Sequence, residues 1–126
     1  MEDRVSAECL GVESIDYTEE FDAATMMIVL HEIYSEVRSK ALENVYQALK
    51  KGGKLIIWDH AFPSKIEDFR NPLYEYGVVD EWYEVPFGTI HQTPAEVDHM
   101  LSGCGFKDIN KFPIGKGMFE VIVASK

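Results

Sequence analysis

Residues capable of acid–base or metal chemistry directly follow apolar segments or precede a helix signal: His31, Asp59, His60 and, further along the chain, His91. Imidazole titrates close to neutral pH, so a histidine can accept a proton from a substrate under physiological conditions. Imidazole and carboxylate groups also bind zinc, which makes the four residues a conceivable ligand set. They show neither the HxH nor the HExxH spacing of zinc sites, so we predict no metal site.

The apolar segments before these residues predict a parallel sheet. Residues 23–30 are continuously apolar, which is typical of a strand buried on both faces and predicts a strand at 22–30. A helix at 35–50, with Ser35 as its N-cap, leads to a second strand at 54–59. This is a right-handed parallel crossover, so the fold class is α/β. Open sheets of this class place their sites at the carboxyl ends of the strands.

The end of the chain predicts a capped helix and an antiparallel hairpin. Thr93 as N-cap, Pro94 at the first helical position and Glu96 closing a capping box together mark a helix start. Residues 106–112 and 118–124 then have the pattern of two strands joined by a glycine-rich turn. The parallel sheet therefore ends in a C-terminal antiparallel hairpin.

Two further segments carry weaker signals. Residues 12–17 are consistent with a short strand, and residues 66–76 with a helix that Pro72 interrupts. Between residues 62 and 87 the pattern is irregular and rich in aromatic side chains.

Composition predicts one soluble globular domain over residues 1–126. The chain is 46% hydrophobic and 27% charged, which suits a folded core. Its net charge of −10 repels phosphate backbones and anionic membranes, so we expect neither nucleic acid nor membrane as a partner. Cys9 and Cys104 lack a CxxC spacing and no signal peptide follows Met1, so we expect a cytoplasmic location.

Several longer blocks of sequence occur in a fixed order. The run from Phe21-Asp22 to Leu30-His31 precedes a helix and the block Leu49-Lys50-Lys51-Gly52-Gly53-Lys54-Leu55, and the helix that starts at Thr93 ends in Gly105-Phe106. This order resembles the fourth strand, fourth helix and fifth strand of the class I S-adenosylmethionine-dependent methyltransferases, followed by the helix that ends in their aGF signature. The resemblance covers about residues 12–126 and implies the C-terminal half of that fold.

Shorter motifs indicate which group within these methyltransferases the chain resembles. The chain has His31-Glu32-Ile33, Asn44-Val45-Tyr46-Gln47-Ala48-Leu49 and Asp59-His60-Ala61-Phe62-Pro63. These blocks look like the His-Asp-Trp, Asn-Cys-Tyr-x-Ala-Leu and acidic-before-proline motifs of O-methyltransferases of the plant phenolic and hydroxyindole type. The family often places a substrate-covering insertion where this chain has residues 62–87. A loop that buries its own aromatics is the alternative.

The resemblance implies roles for three residues. The family's general base, which takes the proton from a substrate hydroxyl, corresponds to His31. The acidic residue that holds the imidazole in its useful tautomer corresponds to Asp59. A second orienting residue, a glutamate in the family, falls near His91, which we take as the third candidate catalytic residue. A capping or packing role for His31 is the alternative.

The resemblance also implies S-adenosylmethionine as the cofactor, but the sequence contains no GxGxG-like segment to receive it. We therefore expect this chain to lack the glycine-rich half of the fold. In the family's sheet order 3-2-1-4-5-7-6, strands 1 and 2 belong to that half, so the strand at 22–30 would keep an unpaired apolar edge. We expect a homodimer, or a complex with a partner chain that carries the N-terminal half.

Three functions remain open from the sequence. The first is a methyltransferase, or its C-terminal portion, that acts on a hydroxyl of a small-molecule substrate. The second is a non-catalytic methyltransferase-like subunit that completes or regulates a partner chain. The third is a small metal-binding or self-associating domain.

Overall fold

A four-stranded mixed sheet packed against helices organises the part of the chain that the computed structural model describes, residues 4–63, 66–72, 82, 85–89 and 91–126. The strands lie in the order β1-β2-β4-β3, with β1 parallel to β2 and the other pairs antiparallel. The elements are β1 (Phe21–Met27), α1 (Ser35–Ala48), β2 (Leu49–His60), α2 (Pro94–Cys104), β3 (Lys107–Ile114) and β4 (Phe119–Ser125). The predicted α/β class, with its parallel pair and terminal hairpin, is confirmed.

The helices cover one face of the sheet. In β2, Leu55 and Ile57 are buried while the alternate residues Ile56 and Trp58 stay partly exposed, which is the period-two pattern of a strand covered on one side. The predicted burial of the first strand on both faces is wrong for the same reason, because β1 also has one covered face among the described residues. No helix in the described part of the chain is long and apolar enough to cross a bilayer.

The core lies between this face and the two helices. Its buried apolar side chains come from every element except β3: Met26, Leu30, Leu42, Val45, Leu49, Leu55, Ile57, Val97, Leu101, Phe106, Ile122 and Ala124. A fully buried leucine of this kind is worth about 1.5–3 kcal/mol relative to an exposed one. The core therefore fixes α1 and α2 over the centre of the sheet.

The start and end of α2 match their sequence signals. The Thr93 backbone N–H donates to Glu96 Oε2 at 2.7 Å, and the Glu96 N–H donates to Thr93 Oγ1 at 3.4 Å, which completes the predicted capping box. Pro94 occupies the first helical position. Gly105 ends the helix with φ of 102°, a left-handed conformation that favours glycine.

Two predicted details near the N-terminus are wrong. Tyr34, not Ser35, stands at the N-cap of α1, and the Ser35 hydroxyl bonds the neighbouring Glu36 carboxylate instead. Residues 12–17 contain a 3-10 turn, Val12–Ser14, in place of a strand, because the Asn44 side-chain amide on α1 donates to the carbonyls of Val12 and Glu13. Packing on a helix replaces pairing with a strand there.

The middle of the chain is only partly described. Ile66–Arg70 is a 3-10 helix, and the rest of the helix predicted at 66–76 falls mostly outside the described residues. Half of the aromatic segment at 62–87 also lies outside them.

Truncating the core should destabilise the fold. Leu42→Ala removes a side chain that is 0% exposed, so we expect the free energy of unfolding in urea to fall by about 2–5 kcal/mol. Leu10→Ala is the control, since Leu10 is 57% exposed and its loss should change stability by less than about 0.5 kcal/mol. Equal losses in the two variants would contradict this packing.

Candidate active site

His31 and Asp59 meet where β1 and β2 end. His31 Nδ1 lies 2.6 Å from Asp59 Oδ1, and the His31 backbone N–H donates to Asp59 Oδ2 at 3.2 Å. The two side chains are only 5% and 13% exposed. A carboxylate on the Nδ1 side holds the ring proton there and leaves the lone pair on Nε2, so the pair is arranged as a base with its orienting group. The expected approach of these two residues is present.

The chain leaves β1 earlier than expected. The strand ends at Met27 rather than residue 30, and Ile28 adopts φ of 51°, a left-handed conformation that is strained for a β-branched residue. The Ile28 N–H donates to Trp58 O at 2.7 Å, which holds the turn against β2. Leu30 then enters the core and His31 follows it. Backbone strain of about 1–3 kcal/mol persists where the surroundings impose it, which is common at functional sites.

A buried arginine holds this turn from the side of α1. Arg38 is 3% exposed and donates from Nε to the Leu30 carbonyl at 3.1 Å and from Nη2 to the His31 carbonyl at 2.7 Å. Sequence reasoning missed Arg38, although an arginine in a register of α1 that is otherwise apolar was an available signal. It fixes the backbone of His31 as Asp59 fixes its ring.

His91 and His60 complete a compact aromatic group. The rings of His31 and His91 are stacked at 4.5 Å with 14° between their planes, and Phe62 stacks on the other side of His91 at 4.5 Å. His60 lies edge-on to His31 at 5.1 Å and to His91 at 4.7 Å. The structure thus brings His91 to the predicted site, where it packs on the face of the His31 ring. His60, which we had considered only as a metal ligand, belongs to the same group.

Two carboxylates of the site differ in their electrostatics. Burial raises the pKa of Asp59, but hydrogen bonds from the His31 ring, its charge and the backbone N–H groups of His60 and His31 outweigh burial, and the net pKa is lower than its ordinary 3.8. Glu120 pairs with Asp59 across β2 and β4, and there burial raises the pKa. Lys111 offsets part of that increase and Asp98 adds to it. The pKa values of the two carboxylates therefore move in opposite directions.

Two spaces adjoin these groups. A cavity of about 10 Å³, the size of one water, is lined by residues that include His31, Asp59, His60, His91 and Glu120. Beside it, between α1 and α2, an open groove of about 440 Å³ is lined by residues that include Arg38, His91, Gln92, Glu96, His99 and Met100. That volume suits a small molecule. His91 and Gln92 border both spaces.

Comparisons with known proteins find similarity to methyltransferases. The model of the family described as "Methyltransferase domain" matches residues 2–57. No curated protein matches the chain.

Among solved structures, human N-acetylserotonin methyltransferase in complex with SAM is 25% identical over 99% of this chain and 36% of its own, with a TM-score of 0.68. The S-adenosylmethionine-dependent methyltransferase SibL is 23% identical over 99% of this chain and 36% of its own, with a TM-score of 0.74. A protein from Nostoc punctiforme PCC 73102, assigned as an O-methyltransferase, is 23% identical over 91% of this chain and 34% of its own, with a TM-score of 0.73.

These likenesses confirm the fold that the sequence motifs implied. The observed strand order β1-β2-β4-β3 corresponds to strands 4-5-7-6 of the family order. The chain has the C-terminal part of the class I methyltransferase fold, and it spans about a third of the length of these three solved structures.

Neutralising Asp59 should remove a pH-dependent part of the stability. Because the pKa of Asp59 is lower in the folded chain than in the unfolded one, its charged form contributes stability above about pH 4, and this contribution is lost as pH falls through the folded pKa. We expect Asp59→Asn to lower the free energy of unfolding by roughly 1–3 kcal/mol at pH 7, and the difference from the unsubstituted chain to shrink below pH 4.

Urea titrations at several pH values check this expectation. Asp22→Asn is the control, because the Asp22 side chain is 86% exposed and its ion pair with Lys50 should contribute less than about 1 kcal/mol. A pH-independent difference for Asp59→Asn would argue against a charge-based role.

Proposed function

We propose that this chain provides the acceptor side of a methyltransferase site, in which a hydroxyl of a small molecule receives a methyl group from S-adenosylmethionine. The observation that carries the proposal is the His31 ring held at 2.6 Å by Asp59 at the carboxyl end of two parallel strands. Human N-acetylserotonin methyltransferase, solved with SAM, supports both the cofactor and transfer to small molecules of the hydroxyindole class.

His31 acts as the general base in this proposal. A hydroxyl is a weak nucleophile until its proton leaves, and the His31 Nε2 lone pair accepts that proton as the oxygen bonds to carbon. When bound, S-adenosylmethionine would supply the methyl group from its positively charged sulfur, which would leave as a neutral thioether. Asp59 stays ionised and stabilises the imidazolium that forms, while Arg38 keeps the His31 backbone in place. His91 is stacked on His31 and also lines the groove.

The residues present fit one side of the cofactor. Met27, Ile28 and Val29 expose apolar side chains at the carboxyl end of β1, next to His31, where open α/β sheets receive ligands. The sequence holds no GxGxG-like segment for the remaining contacts. We propose that a glycine-rich methyltransferase segment, in the same polypeptide or in another chain, provides them.

The outer edge of β1 is where such a segment would dock. Among the described residues only β2 pairs with β1, and Phe21 and Met27 on it are 41% and 57% exposed. An uncovered apolar edge favours pairing with another strand. The same observation favours the second candidate function, a non-catalytic subunit that completes a partner chain. The two candidates differ in whether His31 is needed for turnover.

We propose a cytoplasmic location and no nucleic-acid or membrane partner. Neither Cys9 nor Cys104 is in a disulfide, which suits a reducing compartment. The net charge of −10 opposes binding to phosphate backbones and anionic lipid surfaces.

Removing the base should slow methyl transfer. In a preparation that includes the glycine-rich segment, we expect His31→Ala to reduce the rate of methyl transfer from S-adenosylmethionine to phenols or hydroxyindoles by roughly 10²–10⁴-fold. Lys40→Ala is the control and should keep the rate, because the Lys40 side chain is 55% exposed on α1 and lines neither the cavity nor the groove.

The assay follows labelled methyl groups, and calorimetry follows cofactor binding. A rate unchanged by His31→Ala would leave the subunit function as the better description. If a preparation that includes the glycine-rich segment neither binds S-adenosylmethionine nor transfers its methyl group, the methyltransferase proposal is rejected.

The chain alone should not be monomeric. Covering a few hundred Å² of apolar surface at about 25 cal/mol per Å² contributes several kcal/mol, enough to drive association with a second copy when no other segment covers β1. We expect light scattering at micromolar concentration to give a mass above the 14.4 kDa of one chain. Thr25→Lys on β1 should lower that mass, whereas Thr18→Lys, also exposed but outside β1, should not. A monodisperse 14.4 kDa species would contradict the expectation.

A further inference from the structure

We propose that His31, His60 and His91, here called the histidine cluster, form a binding site for a divalent zinc ion. One ring nitrogen of each residue lies within 4.8 Å of the others. Three imidazoles are a common ligand set for zinc, with a fourth position left for water or substrate. The sequence spacing showed no metal motif because the three residues come from three separate segments that only the fold brings together.

The partner of His31 strengthens the assignment. Histidines that bind metals commonly donate their second ring N–H to a carboxylate, which fixes the ring and makes the ligating nitrogen more basic. Asp59 has this place, since its Oδ1 lies 2.6 Å from His31 Nδ1. With the proton on Nδ1, Nε2 is the nitrogen of His31 that would bind the metal.

Small ring movements would complete the site. Zn–N distances of 2.0–2.1 Å place neighbouring ligand atoms about 3.4 Å apart in a tetrahedral site, which is closer than the 4.8 Å limit observed here. His31 and His91 are stacked with 14° between their planes, so one of these two rings must turn toward the ion. The His60 ring is already nearly perpendicular to both, at 85° and 83°.

The surroundings favour a cation of this type. Glu32 Oε1 lies 3.4 Å from His31 Nε2, and Asp59 supplies a second negative charge against the cluster. Imidazole nitrogen prefers zinc and similar ions, whereas magnesium and calcium prefer oxygen ligands. Zinc is therefore a better match than the magnesium used by many transfer enzymes.

Metal binding would have a consequence that rests on the proposed function. A zinc ion and a substrate proton would both use the lone pair on His31 Nε2, so the metal-bound chain could not act through that base. We expect micromolar zinc to inhibit methyl transfer and a chelator to restore it. Binding itself does not depend on this, because it is measured without substrate or cofactor.

Calorimetric titration with zinc chloride tests the site directly, on protein purified without a histidine tag. We expect one ion per chain, and binding weakened at least about tenfold by His60→Gln or His91→Gln. Asp59→Asn should weaken it about 10–100-fold through the loss of the carboxylate behind His31. His99→Gln is the matched control, since His99 is the fourth histidine of the chain and lies outside the cluster. Cobalt should bind with the visible absorption of a tetrahedral site, and magnesium should not compete.

The outcomes separate this proposal from the proposed function. Zinc affinity that His60→Gln and His91→Gln leave unchanged, in variants that circular dichroism shows to be folded, would overturn the site. Loss of zinc affinity in His99→Gln, with the other variants unaffected, would also overturn the site. Specific zinc binding without methyl transfer under any condition would support the site while rejecting the methyltransferase proposal. Methyl transfer without zinc binding would support the methyltransferase proposal and reject the zinc site.

Discussion

The parallel pairing of β1 with β2 is the constraint on which the site depends. In this register Met27, the last residue of β1, lies opposite Trp58 of β2. The chain that follows β1 therefore runs close to the residue after Trp58. That residue is Asp59, and its carboxylate reaches both the ring and the backbone of His31. A slip of one residue would turn Asp59 to the other face of the sheet and separate the pair. The crossover helix α1 reinforces the register, because its buried side chains pack on the same core and its Arg38 binds the carbonyls of Leu30 and His31.

Most of the fold could be predicted because its signals are local. Continuous apolar runs marked β1 and β2, a three-and-four spacing marked α1, and the Thr93–Glu96 capping box marked the start of α2. Each signal lies within a few residues of the element it describes. The strand order followed from the family resemblance, since sequence pattern alone does not say which strands neighbour each other.

The errors occur where distant contacts outweigh local preference. Residues 28–30 are apolar and would extend a strand, but burial of Leu30 and the hydrogen bond from Ile28 to Trp58 turn the chain away from the sheet. The turn at Val12–Ser14 replaces a strand because Asn44, about thirty residues later, binds its carbonyls. For the site, the pairing of His31 with Asp59 could be expected from two strand ends. The stacking of His91 on His31 could not be expected, because His91 lies outside any helix or strand and no local sequence signal fixes its position.

Two carboxylates paired across β2 and β4 differ in the direction of their pKa shifts. Asp59 and Glu120 are partners in the register of β2 and β4. Hydrogen-bond donors lower the pKa of Asp59. Asp59 accepts from the His31 ring and from two backbone N–H groups, so its pKa lies below the ordinary value, whereas burial leaves the pKa of Glu120 raised. The charge therefore sits behind His31 Nδ1, where it increases the basicity of Nε2 toward a proton and toward a metal ion alike.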